Sequence, residues 1–218
     1  TSAGAEAVTP ACCVGGGRRA SSASMEAVSL SGQRAKSRPT MASRAASTGV
    51  GDGSFHANLP PRPETMYGQT NCFVLPEGEY GAYEIATGEV LVVSHRAACG
   101  MAYQGIMAGW GEENLKCLVE LTGQDLLGLP LKAPNAVYPV VYTLPLVTIS
   151  MGKGTGVVTS VPSDAPDDYI ALKELKDKPL WREKFGITAE MVEPFEVVPI
   201  IEIEGYGNQS AVVMCEKY

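Results

Sequence analysis

Beyond residue 57 the apolar positions fall mostly in short, β-rich runs separated by turn residues. TNCFVL (70–75) is followed by a Pro76/Gly78 turn. AYEI (82–85) and EVLVVS (89–94) flank Ala86-Thr87-Gly88, which reads as a hairpin with glycine where positive φ is needed. VYPVVYTLPLVTI (137–149), TGVVTSV (155–161), EVVPIIEI (196–203) and SAVVM (210–214) read as further strands. Pro139, Pro145 and Pro199 interrupt three of them and mark bulges or edge positions. Helical signals are fewer. HRAACGMAYQGI (95–106) is rich in Ala and Met, and EENLKCLVELTG (112–123) sets Leu115, Leu118 and Val119 on one helical face, with Gly123 as its C′ residue. DAPDDYIALKELKDK (164–178) has Asp164 as N-cap, Pro166 in the first turn, and Asp167 and Asp168 beside the positive helix end. Many short strands with a few helices between them predict an α+β, β-barrel-like domain rather than a doubly wound sheet.

Composition divides the 218 residues in two. Residues 1–57 contain 12 Ala, 10 Ser and 8 Gly, and only six large aliphatics or Phe, too few to offset the entropy of ordering. This segment is therefore expected to be disordered, with six basic and three acidic residues. Its Ser/Ala-rich, acid-poor make-up also suits an organelle transit peptide, but no Arg-rich amphipathic helix is evident. Residues 58–218 form the expected folded unit, with 11 basic and 21 acidic residues, a balance of −10. Such a charge argues against a freestanding nucleic-acid binder, and no apolar run is long enough for a membrane helix. No DNA and no membrane partner is therefore expected. A chain that begins at Thr1 reads as a fragment, or as one whose natural start is Met25 or Met41.

The six cysteines form no C-x-x-C pair, and no zinc-ligand spacing is read between them and His56 or His95. The expected metal content is none, and the expected state is reduced thiols in the cytoplasm. His95 reads as a surface or core histidine rather than a general base.

Two loops carry the chemistry. RPETMYGQTN (62–71) is polar and Thr-rich and stands ahead of a strand. GKGTGVVTSVPSDAPDD (152–168) joins a glycine turn, a strand and a helix start crowded with carboxylates. Gly154 and Gly156 allow close backbone approach to a ligand, and Asp167 and Asp168 suit a cationic group such as an α-ammonium. Each feature also has an ordinary structural explanation. The glycine turn lacks P-loop spacing, first-turn carboxylates answer the helix dipole, and Thr65 and Thr70 can make local backbone bonds.

Together, and in this order, the two loops resemble the editing (connective-polypeptide) domain of leucyl-tRNA synthetase, of the eukaryotic cytosolic and archaeal kind. MAYQG (101–105), LKAP (131–134) and PIIEIEGYGNQSAVV (199–213) extend the resemblance to about residues 62–215. It implies a second sieve. Leucine and its near neighbours differ by about one methylene, worth only ~1–3 kcal/mol in a hydrophobic pocket, so the family hydrolyses the ester of misacylated tRNA(Leu). By position, Asp168 would grip the α-ammonium and Thr65 would exclude leucine. Thr155, with the Gly154 and Gly156 backbone, would line the pocket for the terminal adenosine, and Arg62, Lys153 and Asp167 would assist binding. The partner implied is the 3′ end of tRNA(Leu), delivered within a full synthetase. No cofactor is implied for editing. ATP belongs to the synthetic core, whose HIGH and KMSKS signatures do not occur in the sequence.

The chain departs from the family pattern in three places. Pro60 stands where the family has a threonine, so that hydroxyl is absent. Residues 51–58 replace an apolar strand, so one barrel strand is expected to be missing. The chain also ends at Tyr218, ahead of the family's remaining helices and last strand. The alternative reading is therefore a catalytically inactive fragment that acts at most as a binding module.

Overall fold

The structure is a computed structural model and describes residues 25–27, 55–57 and 63–217. The described residues include nine strands: β1 (Met25–Ala27), β2 (Phe55–Ala57), β3 (Asn71–Val74), β4 (Glu79–Glu84), β5 (Val90–Val93), β6 (Cys117–Thr122), β7 (Pro130–Lys132), β8 (Val140–Pro145) and β9 (Val157–Ser160). They form one sheet in the order β6-β4-β5-β2-β1-β7-β8-β3-β9. Helices α1 (His95–Tyr103), α2 (Gly123–Leu126), α3 (Pro166–Asp177), α4 (Pro179–Lys184) and α5 (Ser210–Lys217) complete it, with short 3-10 turns at Pro63–Gly68, Glu112–Asn114 and Ala189–Met191.

Strand alternation sorts side chains between two faces. Cys72 and Val74 of β3, Tyr80 and Ala82 of β4, Val90 and Val92 of β5, Val119 and Leu121 of β6, Val141 of β8 and Val157 of β9 share one core cluster. Strands from both ends of the order meet in that interior, so the sheet is curled. Tyr80 bridges the two ends: its hydroxyl donates to the Gly156 carbonyl (2.6 Å) and accepts from the Leu75 N–H (3.0 Å). The opposite face carries helices. Leu91 and Val93 pack under Ala98, Met101 and Ala102 of α1, while Phe73 and Leu144 pack under Leu172 and Leu175 of α3. The α+β, barrel-like expectation thus describes a curled mixed sheet with helices outside.

Four local expectations are corrected. Residues 117–122 form β6, not the end of a helix, because Val119 and Leu121 point inward at period two and pair along β4. Ser210–Lys217 is α5, not a strand: Ala211 packs inward, its N–H donates to the Ser163 carbonyl, and Tyr169 donates to Glu216. Residues 196–202 make no ladder, and Ile203 makes only an isolated bridge to Gly207. Asp164 does not cap α3; the N-cap is Ala165, and Asp164 instead accepts from the Ser163 hydroxyl (2.6 Å). Within residues 51–58, where a family strand is expected to be missing, Phe55–Ala57 forms the three-residue β2. β2 lies parallel to β5 and is joined by β1, which also pairs with β7. The disorder expected of the other residues of 1–57 lies outside the described residues.

Candidate functional site

β3 and β9 run antiparallel with Asn71 opposite Ser160 and Cys72 opposite Thr159. The Thr-rich segment enters β3 at the same end from which the chain leaves β9 toward α3. The two sequence motifs are thereby brought side by side. Thr70 N–H donates to the Ser160 carbonyl (3.2 Å), and the Thr70 hydroxyl donates to Asn71 Oδ1 (2.9 Å) and reaches Ser160 Oγ (3.5 Å). Gln69, Thr70, Asn71, Ser160 and Ser163 are all fully buried, a polar strip inside an otherwise apolar layer. The Asn71 amide nitrogen has no partner among the described residues.

Asp168 closes this strip. It lies in the first turn of α3, exposes only 8% of its surface, and accepts from the Val161 N–H through Oδ2 (2.8 Å). Burial raises its carboxyl to about 6; the Val161 N–H pulls the other way, and the neighbouring charge of Asp167 adds to the rise. The Cys72 thiol is pushed to about 12 by burial, opposed by a hydrogen bond with Thr159 and helped slightly by Asp168, so it is inert as a nucleophile.

The other predicted residues divide. Thr65 falls in the 3-10 turn Pro63–Gly68, at the Asp168 end of the sheet. Gly68 ends that turn, and a Cβ there would clash with Ile200 Cδ1 and lie 3.1 Å from the Val198 carbonyl. Asp167 is exposed beside Asp168. Arg62 lies outside the described residues. Lys153, Gly154, Thr155 and Gly156 are not gathered with Asp168: they precede β9 and lie at its opposite end, roughly 16 Å away along the strand. There the Thr155 hydroxyl donates to the Val157 carbonyl (3.0 Å), and the Thr155 carbonyl accepts from the Ser94 N–H (2.8 Å). Gly154 has open space where a Cβ would lie and adopts φ 67, while Lys153 is exposed.

Sequence reasoning missed the buried polar partners Asn71, Thr159 and Ser160. Asn71 faces Ser160 but Thr159 faces the apolar Cys72, so no pattern along either strand singles them out. It also missed a second cluster. No ligand spacing was read from the histidines, yet His95 and Cys99 lie one helical turn apart on α1, with Glu112 beside them.

Curated relatives share this chain's sequence. Cytoplasmic leucine--tRNA ligase of Dictyostelium discoideum is 59% identical over 151 residues, covering 69% of this chain and 14% of that protein. The Arabidopsis thaliana counterpart is 52% identical over 161 residues, covering 74% and 14%. The chain thus spans about one seventh of the length of these relatives. Among solved structures, GlLeuRS-CP1 superposes with a TM-score of 0.81 at 38% identity, covering 90% of this chain and 78% of that one. The P.falciparum cytosolic leucyl-tRNA synthetase editing domain follows with a TM-score of 0.71 at 26% identity, covering 78% and 62%. No family model matches.

The curled mixed sheet with helices outside is thus the fold of a leucyl-tRNA synthetase editing domain. The chain belongs to the leucyl-tRNA synthetase family and corresponds to the editing (CP1) portion of it.

Proposed function

We propose that this chain supplies the second sieve of a cytoplasmic leucyl-tRNA synthetase, hydrolysing the ester between a wrong amino acid and the 3′ end of tRNA(Leu). The observation that carries the reading is Asp168, a buried carboxylate fixed by the Val161 N–H at the end of the sheet where the Thr-rich turn arrives.

A carboxylate with a pKa of about 6 is ionised at neutral pH and poorly solvated, so it gains from a cationic partner. The α-ammonium of an aminoacyl ester supplies that partner and places the ester carbonyl near the turn bearing Thr65. Thr65 rejects leucine by bulk, which spares correct product. Asp167 adds negative charge at the mouth. The turn Lys153–Gly156 forms the far wall toward the nucleotide, with Lys153 facing phosphate and Gly154 admitting close approach; Arg62 assists from the Thr-rich side. Water attacks the ester carbonyl, the tetrahedral oxyanion collapses, and the 3′ oxygen leaves with a proton, giving free amino acid and intact tRNA. The ester is already activated, so positioning a water is the main requirement, and the step consumes no nucleotide.

The −10 balance of residues 58–218 offers phosphates little attraction, so the rest of a synthetase must hold the tRNA and present its 3′ end. The direct test is deacylation of norvalyl-tRNA(Leu) and leucyl-tRNA(Leu) by the chain. Faster loss of the norvalyl ester, abolished in Asp168→Ala, supports the reading. Ester loss no faster than in buffer leaves the chain a non-catalytic binding module, the outcome that Pro60 in place of a threonine favours.

A further inference from the structure

We propose that His95, Cys99 and Glu112 form a surface site for a single zinc-class divalent cation, outside the proposed editing centre. One ligand atom from each lies within 4.8 Å of the other two, and His95 Nδ1 stands 3.5 Å from Cys99 Sγ. Metal–ligand bonds of about 2.0–2.3 Å in a tetrahedron separate ligand atoms by roughly 3.5 Å. The His–Cys pair already has that spacing, and the Glu112 carboxylate closes the remainder by rotating about its side-chain bonds.

The donor set is chemically consistent. Imidazole, thiolate and carboxylate are the three protein ligand types of zinc, and a fourth position stays open to water. A thiolate and a carboxylate together neutralise the dication. The filled site is therefore uncharged, which matters because His95 is the first residue of α1, where the helix dipole disfavours net positive charge. On binding, the Cys99 sulfur–hydrogen bond breaks, the metal–sulfur bond forms, and the proton passes to solvent.

Both ligand-bearing elements are held on one support. His95 and Cys99 are i and i+4 on α1, so they share a face. Ala98, Met101 and Ala102 of that helix bury against Tyr83, Leu91, Val93 and Met107. The segment leading to Glu112 is pinned by the Met107–Ile85 bridge and by Ala108 N–H donating to the Glu84 carbonyl (3.1 Å). Gly111 turns it at φ 81, and Asn114 Nδ2 donates to the Trp110 carbonyl (2.7 Å). His95 and Glu112 are exposed and Cys99 partly so, which leaves an entry path.

The experiment titrates the full chain, purified metal-free, with Co2+ as a zinc analogue. The thiolate-to-cobalt charge-transfer absorption is followed, and Zn2+ is then added in competition. The expected result is one equivalent of cobalt with a thiolate band that zinc displaces. The band should be abolished in Cys99→Ser and unchanged in Cys117→Ser and Cys215→Ser. His95→Ala and Glu112→Gln should weaken zinc binding by about 100-fold or more, since loss of an outer-shell group alone costs about 10–100-fold. All three ligands are at the surface, so circular dichroism of the variants should match the parent. No cobalt band, or a band that survives Cys99→Ser, overturns the proposal.

Discussion

The Val161 N–H donates to Asp168 Oδ2 at 2.8 Å, tying the strand that leaves the glycine turn to the first turn of α3. The bond favours the ionised carboxylate, yet burial outweighs it and lifts the group to about 6. Asp168 is thus held in place, costly to keep charged, and ready to be offset by a cation.

The first consequence concerns activity. Asp168 must be ionised to bind an α-ammonium, so editing should fall as pH drops through about 6. Deacylation of norvalyl-tRNA(Leu) at subsaturating substrate, measured from pH 5 to 8, should give an acid limb near that value. A flat profile below pH 6 would remove Asp168 from the binding step.

The second concerns stability, and its sign is opposite to that of an ordinary paired aspartate. The native carboxyl titrates near 6 against an ordinary value of 3.8, so between these the native state holds the proton that the unfolded state has released. Stability therefore declines as pH rises from about 4 to about 6, by roughly 2–3 kcal/mol from this group, and stays lowered above that. Asp168→Asn keeps an acceptor for Val161 and should erase that decline. Urea unfolding of both proteins should show the variant gaining on the parent across this window, while its editing is lost. A variant less stable than the parent at pH 7.5 would show the carboxylate to be structural.

The sheet was legible where a short β-branched run stood between turn residues, as in EVLVVS, TGVVTSV and the hairpin at Gly88, because that composition is a property of each strand alone. It was illegible where tertiary packing decided. KCLVELT satisfies both a helical face and an alternating strand, and pairing along β4 selects the strand. SAVVM has strand propensity, but its place beside α3 makes it helical. The site divides in the same way. Motif resemblance pointed to Asp168 and Thr65 as candidates, while the strip Asn71–Thr159–Ser160 depended on strand register, which no spacing reveals. His95 and Cys99 were within sequence reach as an i, i+4 pair, but Glu112 joins them only through the fold.

Gly68 supplies a third prediction. Its position in the turn that carries Thr65 is set by space: a methyl there would meet Ile200 and crowd the Val198 carbonyl. Gly68→Ala should cost about 1–3 kcal/mol through overpacking. Adding Ile200→Ala should return part of that loss, because the closest clash is with the movable end of that side chain. Thermal unfolding of the two single variants and the double variant measures the coupling. Strict additivity would mean that the turn does not rest on Ile200.

Tyr80 carries the last prediction. Its hydroxyl joins the end of β3, through Leu75 N–H, to the glycine turn, through the Gly156 carbonyl, and burial raises its pKa so that it remains a donor at physiological pH. Tyr80→Phe preserves the ring in the core but leaves an N–H and a carbonyl without that partner, costing about 1–3 kcal/mol. Asp168 lies at the other end of β9, so the grip on the α-ammonium should be intact while the nucleotide wall loosens. The expected kinetic signature is a raised KM for the aminoacyl-tRNA with kcat little changed, measured by deacylation at several substrate concentrations. An equal fall in kcat and kcat/KM would place the glycine turn in the chemical step, and unchanged kinetics would remove it from the substrate's path.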